Sequence, residues 1–358
     1  MKTLPLAGAL AFAMGAGIIL VESKAMTAQI AGTATRLPIE GQFPPLDGAI
    51  GWLNSDPLTA TELRGKVVLV DFWTYSCVNW LRTEPYVRAW AGKYKDQGVV
   101  VIGVHTPEFG FEKNVDNVRW AAKNYDVRYA IAIDSNYGVW HAFDNQSWPA
   151  IYLIDAEGRI RYRQFGEGDY DRTEAAIQDL LGEAGMSGFD RSRVAVEGKG
   201  VEAAADRDTV QSPETYAGSA RGQNFASPGG VAPGGPGDYA LPVRLRLNEW
   251  AVSGGWNIGR EAAVVKAPSG RLAFRFHARD VNLVMGPALP GGAVRFRVRI
   301  DGQVPDADGG LDIDKDGSGA IAEQRLYQLI RQKRPIVDRT FEIEFLDPGA
   351  ELFVFTFG

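Results

Sequence analysis

Apolar residues follow two different rhythms along this chain. Between Gly65 and Leu181 short β-branched runs alternate with helical patterns, which is the signature of a sheet whose strands are joined by crossover helices. Val67–Trp73, bounded by Gly65-Lys66, predicts a buried strand; Cys77–Lys95 predicts a helix and Val99–Val104 the next strand. A helix over Lys113–Asn124 then leads to strands Ala130–Ile133, Ile151–Ile154 and Ile160–Phe165, with a turn at Ala156-Glu157-Gly158-Arg159. Helix Arg172–Leu181 closes the unit.

After Asp238 the period changes to two. Val243, Leu245 and Leu247 alternate with Arg244 and Arg246, and Leu272, Phe274 and Phe276 with Arg275 and His277. Val294, Phe296, Val298 and Ile300 alternate with Arg295, Arg297 and Arg299, and Phe341, Ile343 and Phe345 with Glu342 and Glu344. Half-buried strands separated by Gly/Pro turns predict an all-β, antiparallel sandwich of jelly-roll type over residues 239–358. The arginine row is expected to face solvent or to pair across strands with Glu342 and Glu344. Residues 185–238 are rich in Gly, Ala, Ser and Pro and predict a linker, within which Ser212–Tyr216 carries an aromatic ring able to dock.

A length of 358 residues accommodates these two domains. The net charge of -6, with no basic run, argues against nucleic acid as a partner. A single cysteine excludes internal disulfides and cysteine zinc clusters, and three histidines scattered at 105, 141 and 277 suggest no metal site. No cofactor is expected. Lys2, the apolar stretch Leu4–Val21 and the small residues Ser23 and Ala25 predict that residues 1–28 are an export signal, or an anchor in the membrane if uncleaved. Either way the remainder is expected to be periplasmic or otherwise extracytoplasmic.

The one cysteine is well placed for chemistry. Cys77 follows a buried strand and opens a helix, where backbone N–H groups and the helix dipole favour a thiolate, the form that attacks disulfides and peroxides. A thiol pKa below the free value of about 8.5 is the expectation on those grounds.

The string Val70-Asp71-Phe72-Trp73-Thr74-Tyr75-Ser76-Cys77-Val78-Asn79-Trp80 resembles the strand and active-site stretch of the thioredoxin family, with Pro85 at the helix-kinking proline and Trp148-Pro149 at the cis-proline. With Leu81-Arg82-Thr83, Gly103–Phe109 and Phe165–Tyr170 added, the chain resembles the C-terminal part of DipZ-type proteins. That resemblance implies a thioredoxin fold over residues 36–184, thiol-disulfide oxidoreductase activity, and a carbohydrate-binding-module-like β-sandwich behind it. It implies catalytic roles for Cys77, Asp71 and Pro149, with Asp71 at the buried acid that serves the second cysteine and Pro149 in the loop that pairs with substrate backbone. Two departures stand out. No counterpart of the CcdA-like transmembrane segment of DipZ is seen, and the Cys-Xaa-Xaa-Cys pair reads Cys77-Val78-Asn79-Trp80.

Without a second cysteine the intramolecular disulfide cannot form, so turnover needs an external thiol and the partner is a protein or small-molecule disulfide or thiol. Trp73, Trp80 and Trp148 are candidates for an apolar rim that binds it. Two alternatives stay open: a one-cysteine thiol peroxidase with antioxidant activity, since Thr74 imitates the Thr-Xaa-Xaa-Cys of peroxiredoxins although Val70 stands where their proline belongs, and a redox-inactive protein that binds peptide or carbohydrate. Glu108 and His105 are candidates for moving protons or for capping their loop. Trp250 and Trp256 are candidates for stacking on sugar rings. Asp312–Glu323 matches the spacing of an EF-hand loop, but with no amphipathic helix before Asp312 it is read as an acidic connection between strands.

Overall fold

The computed structural model describes residues 36–232, 235–289 and 291–358; the export segment expected at residues 1–28 lies outside them. The N-terminal half is built from β1 (Gly41–Gln42), β2 (Gly51–Leu53), β3 (Val67–Trp73), α1 (Val78–Tyr94), β4 (Val99–His105), α2 (Val115–Asn124), β5 (Ala130–Ile133), α3 (Gly138–Ala142), β6 (Ala150–Ile154), β7 (Arg159–Phe165) and α4 (Tyr170–Glu183). Its sheet runs in the order β1-β7-β6-β3-β4-β5-β2. β3, β4 and β5 are parallel, whereas β6 and β7 join antiparallel.

Every residue of β3 is buried because the strand is central and covered on both faces. Its period of two sorts the side chains. Val67 and Leu69 pack with Val87, Trp90, Ile177 and Leu180 of α1 and α4, while Val68, Val70 and Phe72 pack with Trp140, Phe143 and Tyr152 on the other face. Asp71 and Trp73 therefore fall on the α1 face. This alternation sets up the site described below.

The C-terminal half contains β8 (Thr215–Tyr216), β9 (Pro236–Tyr239), β10 (Trp250–Ile258), β11 (Ala263–Val265), β12 (Gly270–Phe276), β13 (Asp280–Pro287), β14 (Val294–Ile300), β15 (Ser318–Ile321), β16 (Arg325–Arg331), β17 (Arg339–Phe345) and β18 (Ala350–Phe357). These form one curled antiparallel sheet whose two layers share β10. Trp250–Ser253 pairs with β12 in one layer, and from Gly254 the same strand pairs with β9 and β11 in the other. Gly254, at φ +83°, lies at the handover, in a backbone conformation that disfavours a Cβ. The apolar positions of the period-two runs fill the space between the layers, with Phe274, Phe296 and Phe341 fully buried.

Some expectations change. The stretch Leu241–Leu247 is not a strand and Val243 is fully exposed, because alternation alone supplies no neighbouring edge to pair with. Two short stretches of the segment expected as a linker join the sheet: β8 pairs with β18 at Val354 and Phe355, and β9 pairs with β10. Trp250 and Trp256 are 1% and 0% exposed and line the core, so neither can stack on a sugar. In the Asp312–Glu323 loop, Asp312 is held by Arg325 at 2.7 Å and by the backbone N–H of Gln328 at 2.7 Å, and the turn feeds directly into β15. The arginine row does meet acids across strands, with Arg297 opposite Glu344 and Arg299 opposite Glu342.

Both halves belong to one unit, Leu37–Gly358, and they share core. Val284, Leu326, Phe353 and Val354 of the β-domain join Trp73, Trp80, Leu81 and Phe109 in a single apolar cluster. Phe353 alone meets the rings of Phe109 and Phe111 at centroid distances of 5.2 and 4.7 Å.

The handover in β10 makes one stability prediction. Gly254→Ala is expected to cost about 1 kcal/mol, the left-handed penalty less the entropy gained by removing a glycine from the unfolded chain. Urea unfolding should show a lower midpoint with an unchanged slope.

Candidate functional site

Cys77 is the N-cap of α1: its backbone is extended (φ -76°, ψ 116°) and its carbonyl accepts the first helical bond, from Leu81 N–H at 3.0 Å. The Cys77 side chain is half-buried, and its sulfur lies 3.9 Å from the carbonyl oxygen of Trp148, at the Trp148-Pro149 peptide, which is cis. The fold thus brings Pro149 beside Cys77, although they are far apart in sequence.

The expectation of a lowered thiol pKa does not hold. Burial pushes the Cys77 thiol above its ordinary value, and the charge of Glu108, then that of Glu214, push the same way. The backbone N–H groups of Trp80 and Asn79 oppose this, but neither makes a capping hydrogen bond to the side chain. Desolvation outweighs the helix terminus here.

Beneath Cys77 the position of the missing thiol is filled. Trp80, in the first turn of α1, is fully buried and stacks on Trp73 at a centroid distance of 4.3 Å and an angle of 25°. Its indole N–H donates to Asp71 Oδ2 at 3.1 Å. Room for the stack comes from Gly103, the β4 neighbour of Asp71, where a Cβ would sit 2.7 Å from the Trp73 indole nitrogen. Asp71 is buried, its Oδ1 lacks a hydrogen-bond partner among the described residues, and burial pushes its pKa up to about 7 against the opposing Trp80 bond. Asp71 therefore touches Trp80 and not the cysteine. Glu84, one turn after Trp80, accepts from the Tyr129 hydroxyl at 2.7 Å and is likewise pushed well up by burial and, further, by the charge of Asp71.

The rim expectation needs correcting for two of the three tryptophans. Trp73 and Trp80 are 0% exposed and cannot meet a substrate. Trp148 keeps some exposure, and its ring is held by a bond to Thr106 O at 3.0 Å and by contact with Trp140 at 4.3 Å. His105 is buried against Trp73 and Tyr75, and burial pushes its pKa down to about 3, so it stays neutral and takes no part in proton transfer near pH 7.

Glu108 does belong to the site. Its loop is anchored by Glu112, whose buried carboxyl binds Ser76 Oγ at 2.6 Å and the N–H groups of Glu108 and Phe109 at 2.6 and 2.9 Å, tying the loop to the residue before Cys77. Glu108 Oε1 in turn takes the Tyr216 hydroxyl at 2.6 Å and Arg221 Nη1 at 2.7 Å, both from the segment leading into the β-domain. Sequence reasoning missed Glu112, Glu84, Glu214 and Arg221; the aromatic ring expected to dock from Ser212–Tyr216 is Tyr216, which packs against the joint cluster and bonds Glu108.

A thioredoxin fold with one cysteine at a helix start beside a cis-proline defines a class, the thiol-disulfide oxidoreductases and their relatives. Comparison with known proteins agrees with it: residues 52–181 match the family described as Redoxin, and residues 212–358 match the Thioredoxin like C-terminal domain. Protein DipZ of Mycobacterium bovis is 34% identical over 96% of this chain and 46% of its own length, so the chain spans about half of that relative. Thiol-disulfide oxidoreductase YkuV of Bacillus subtilis is 31% identical over 39% of this chain and 95% of its own. The chain belongs to the redoxin family of thiol-disulfide oxidoreductases and is a homologue of DipZ.

The buried acid makes a pH-dependent prediction. Asp71 has its folded pKa raised from 3.8 to about 7, so the folded state binds the extra proton and wild-type stability falls as pH rises through that window. Asp71→Asn, which still accepts the Trp80 bond, should match wild type near pH 4 and gain on it up to about pH 7, reaching roughly 2–4 kcal/mol. Denaturant unfolding across pH checks this; a gain independent of pH would show that Asp71 is not the titrating group.

Proposed function

We propose that this protein carries out thiol-disulfide exchange outside the cytoplasm with Cys77 as its only nucleophile and an external thiol in place of the second cysteine. The observation that carries this reading is the position of Cys77: helix start, partial exposure, and a sulfur 3.9 Å from the carbonyl before Pro149. The apolar Leu4–Val21 stretch behind Lys2 supports the location.

The chemistry balances in two steps. The Cys77 thiolate attacks a substrate disulfide R–S–S–R, forming Cys77–S–S–R and releasing RS⁻. A second thiolate, R′S⁻, attacks the substrate sulfur of that mixed disulfide, giving R–S–S–R′ and regenerating Cys77. The sum is R–S–S–R and R′S⁻ giving R–S–S–R′ and RS⁻, one thiolate in and one out; a second turn with another R′S⁻ releases the other RS⁻ and leaves R′–S–S–R′, two electrons having then passed from two incoming thiols. Burial and the acids near Cys77 keep the thiolate fraction low, which supports slow exchange and stable thiols between encounters. The same feature favours a second reading, a redox-inactive binding protein that retains the groove beside Pro149.

The deciding experiment incubates the full chain with glutathione disulfide and with an aromatic disulfide and weighs it intact. One adduct per chain is expected, removed by added thiol and absent from Cys77→Ser. No adduct at pH 8–9 in folded wild type would transfer the assignment to the binding protein.

Restoring the thiol is a stricter test. Trp80→Cys places sulfur at the first turn, within bridging reach of Cys77. It also deletes a fully buried indole and the donor to Asp71, for an expected loss of about 3–5 kcal/mol. In the folded variant an internal disulfide and faster disulfide reductase turnover than wild type are the expected outcomes, measured by thiol counting and an insulin reduction assay.

A further inference from the structure

The residue whose carbonyl faces the Cys77 sulfur is held by a closed ring of buried contacts that starts at Asp134. Asp134 follows β5, is fully buried, and accepts from Thr106 Oγ1 at 2.9 Å and from the backbone N–H groups of Val139 and Trp140, each at 2.9 Å. Thr106, just past β4 and also fully buried, donates its N–H to Trp73 O at 3.0 Å and accepts the Trp148 indole N–H on its own carbonyl at 3.0 Å. The Trp140 ring, on α3, meets the Trp148 ring at a centroid distance of 4.3 Å. Both routes from Asp134 therefore end on Trp148, whose carbonyl oxygen lies 3.9 Å from the sulfur.

Of these four side chains only Trp148 keeps some exposure, so the ring turns buried geometry into the position of one residue at the site. A substrate sulfur bonded to Cys77 lies close to that residue. The Thr106 hydroxyl is the adjustable link: a carboxylate only accepts, so the hydroxyl donates, and a methyl group in its place cuts the tie to Asp134. The loop keeps other ties without it, since Asn145 Nδ2 donates to Ser147 O at 3.1 Å and Gly166 N–H to Pro149 O at 2.8 Å. Losing the link thus shifts Trp148 and leaves the loop in place. Misplacing a reacting geometry by about 1 Å can cost about a hundredfold in rate.

We propose that Thr106, locked by Asp134, is a positioning residue for disulfide exchange at Cys77, acting through Trp148. The inference rests on Cys77 being the nucleophile. With glutathione disulfide the Cys77–glutathione bond forms as the S–S bond of the reagent breaks, and one glutathione thiolate leaves with the electron pair. That step needs three sulfurs aligned beside Trp148. Alkylation by iodoacetamide, a small reagent attacked at one carbon, needs only an accessible thiolate. The two reagents therefore separate the alignment of the site from the reactivity of the sulfur.

The experiment measures the rates of both reactions on full-length wild type, Thr106→Val, Thr106→Ser and Trp148→Phe, each checked for folding by circular dichroism. Thr106→Val, close to isosteric, should lose about tenfold with glutathione disulfide and stay within about twofold of wild type with iodoacetamide. Thr106→Ser keeps the hydroxyl and should stay near wild type with both. Trp148→Phe keeps a ring and loses the indole N–H; it should fall as Thr106→Val does, and the double variant no further, because both cut one path. An equal fall with both reagents, an unchanged Thr106→Val, a Thr106→Ser as slow as Thr106→Val, or additive losses in the double variant overturn the role of Thr106 and leave Cys77 as nucleophile. Failure of folded wild type to react with either reagent overturns both assignments. Should Thr106→Val not fold, Trp148→Phe decides: a fall confined to glutathione disulfide supports the proposal, and unchanged rates overturn it.

Discussion

A carboxylic acid shut away from water on the central strand needs a donor, and in this protein the donor is the Trp80 indole, 3.1 Å away. An indole N–H donates but does not give up its proton to a carboxylate, so the pair has geometry and no acid-base exchange. The stack of Trp80 on Trp73 holds the donor in place, and Gly103 leaves the space for that stack. Cys77 stands one turn away as the only cysteine of the chain. With one cysteine no internal disulfide can form, and the buried acid serves the packing beneath the site.

The β-domain is built into the same core. Phe353 meets both Phe109 and Phe111, which stack on each other, and Glu261 accepts the backbone N–H of Gly110 at 2.8 Å. The loop so pinned carries Glu108, one of the two carboxylates that bear on the thiol. Hydrophobic contact and hydrogen bonds from the C-terminal half thus act on the same few residues of this loop. Parts of the stretch between the halves are held by that core: Val201 packs into the joint cluster and β8 pairs with β18.

Opposing pH responses are built into this arrangement. Asp71 and Glu112, each pushed up to about 7, take protons on folding, whereas His105, pushed down to about 3, excludes one. By linkage the two acids weaken the fold as pH rises toward 7, and the histidine weakens it as pH falls below about 6.5. All three shifts have burial as their largest cause, so they report how thoroughly water is excluded around β3 and β4.

Local pattern was enough to read β3 as a buried strand, Cys77 as a helix start, and the apolar faces of β12, β14 and β17, while the loss of the second thiol was read from the family resemblance. Each depends on neighbours in sequence: strand period, turn residues and a helix N-terminus act over a few positions. The fate of the tryptophans was not legible in that way. Trp73, Trp80, Trp250 and Trp256 are equally apolar on paper as core or as binding platform, and only the packing of distant segments buried all four. The thiol is the clearest case. Its helix-start position argues for a lowered pKa, yet the tertiary structure desolvates it and brings Glu108 and Glu214 to bear on it, because desolvation and charge depend on what lies close in space. Tyr216 and Glu108, bonded across 108 residues of chain, are close only once the two halves have packed together.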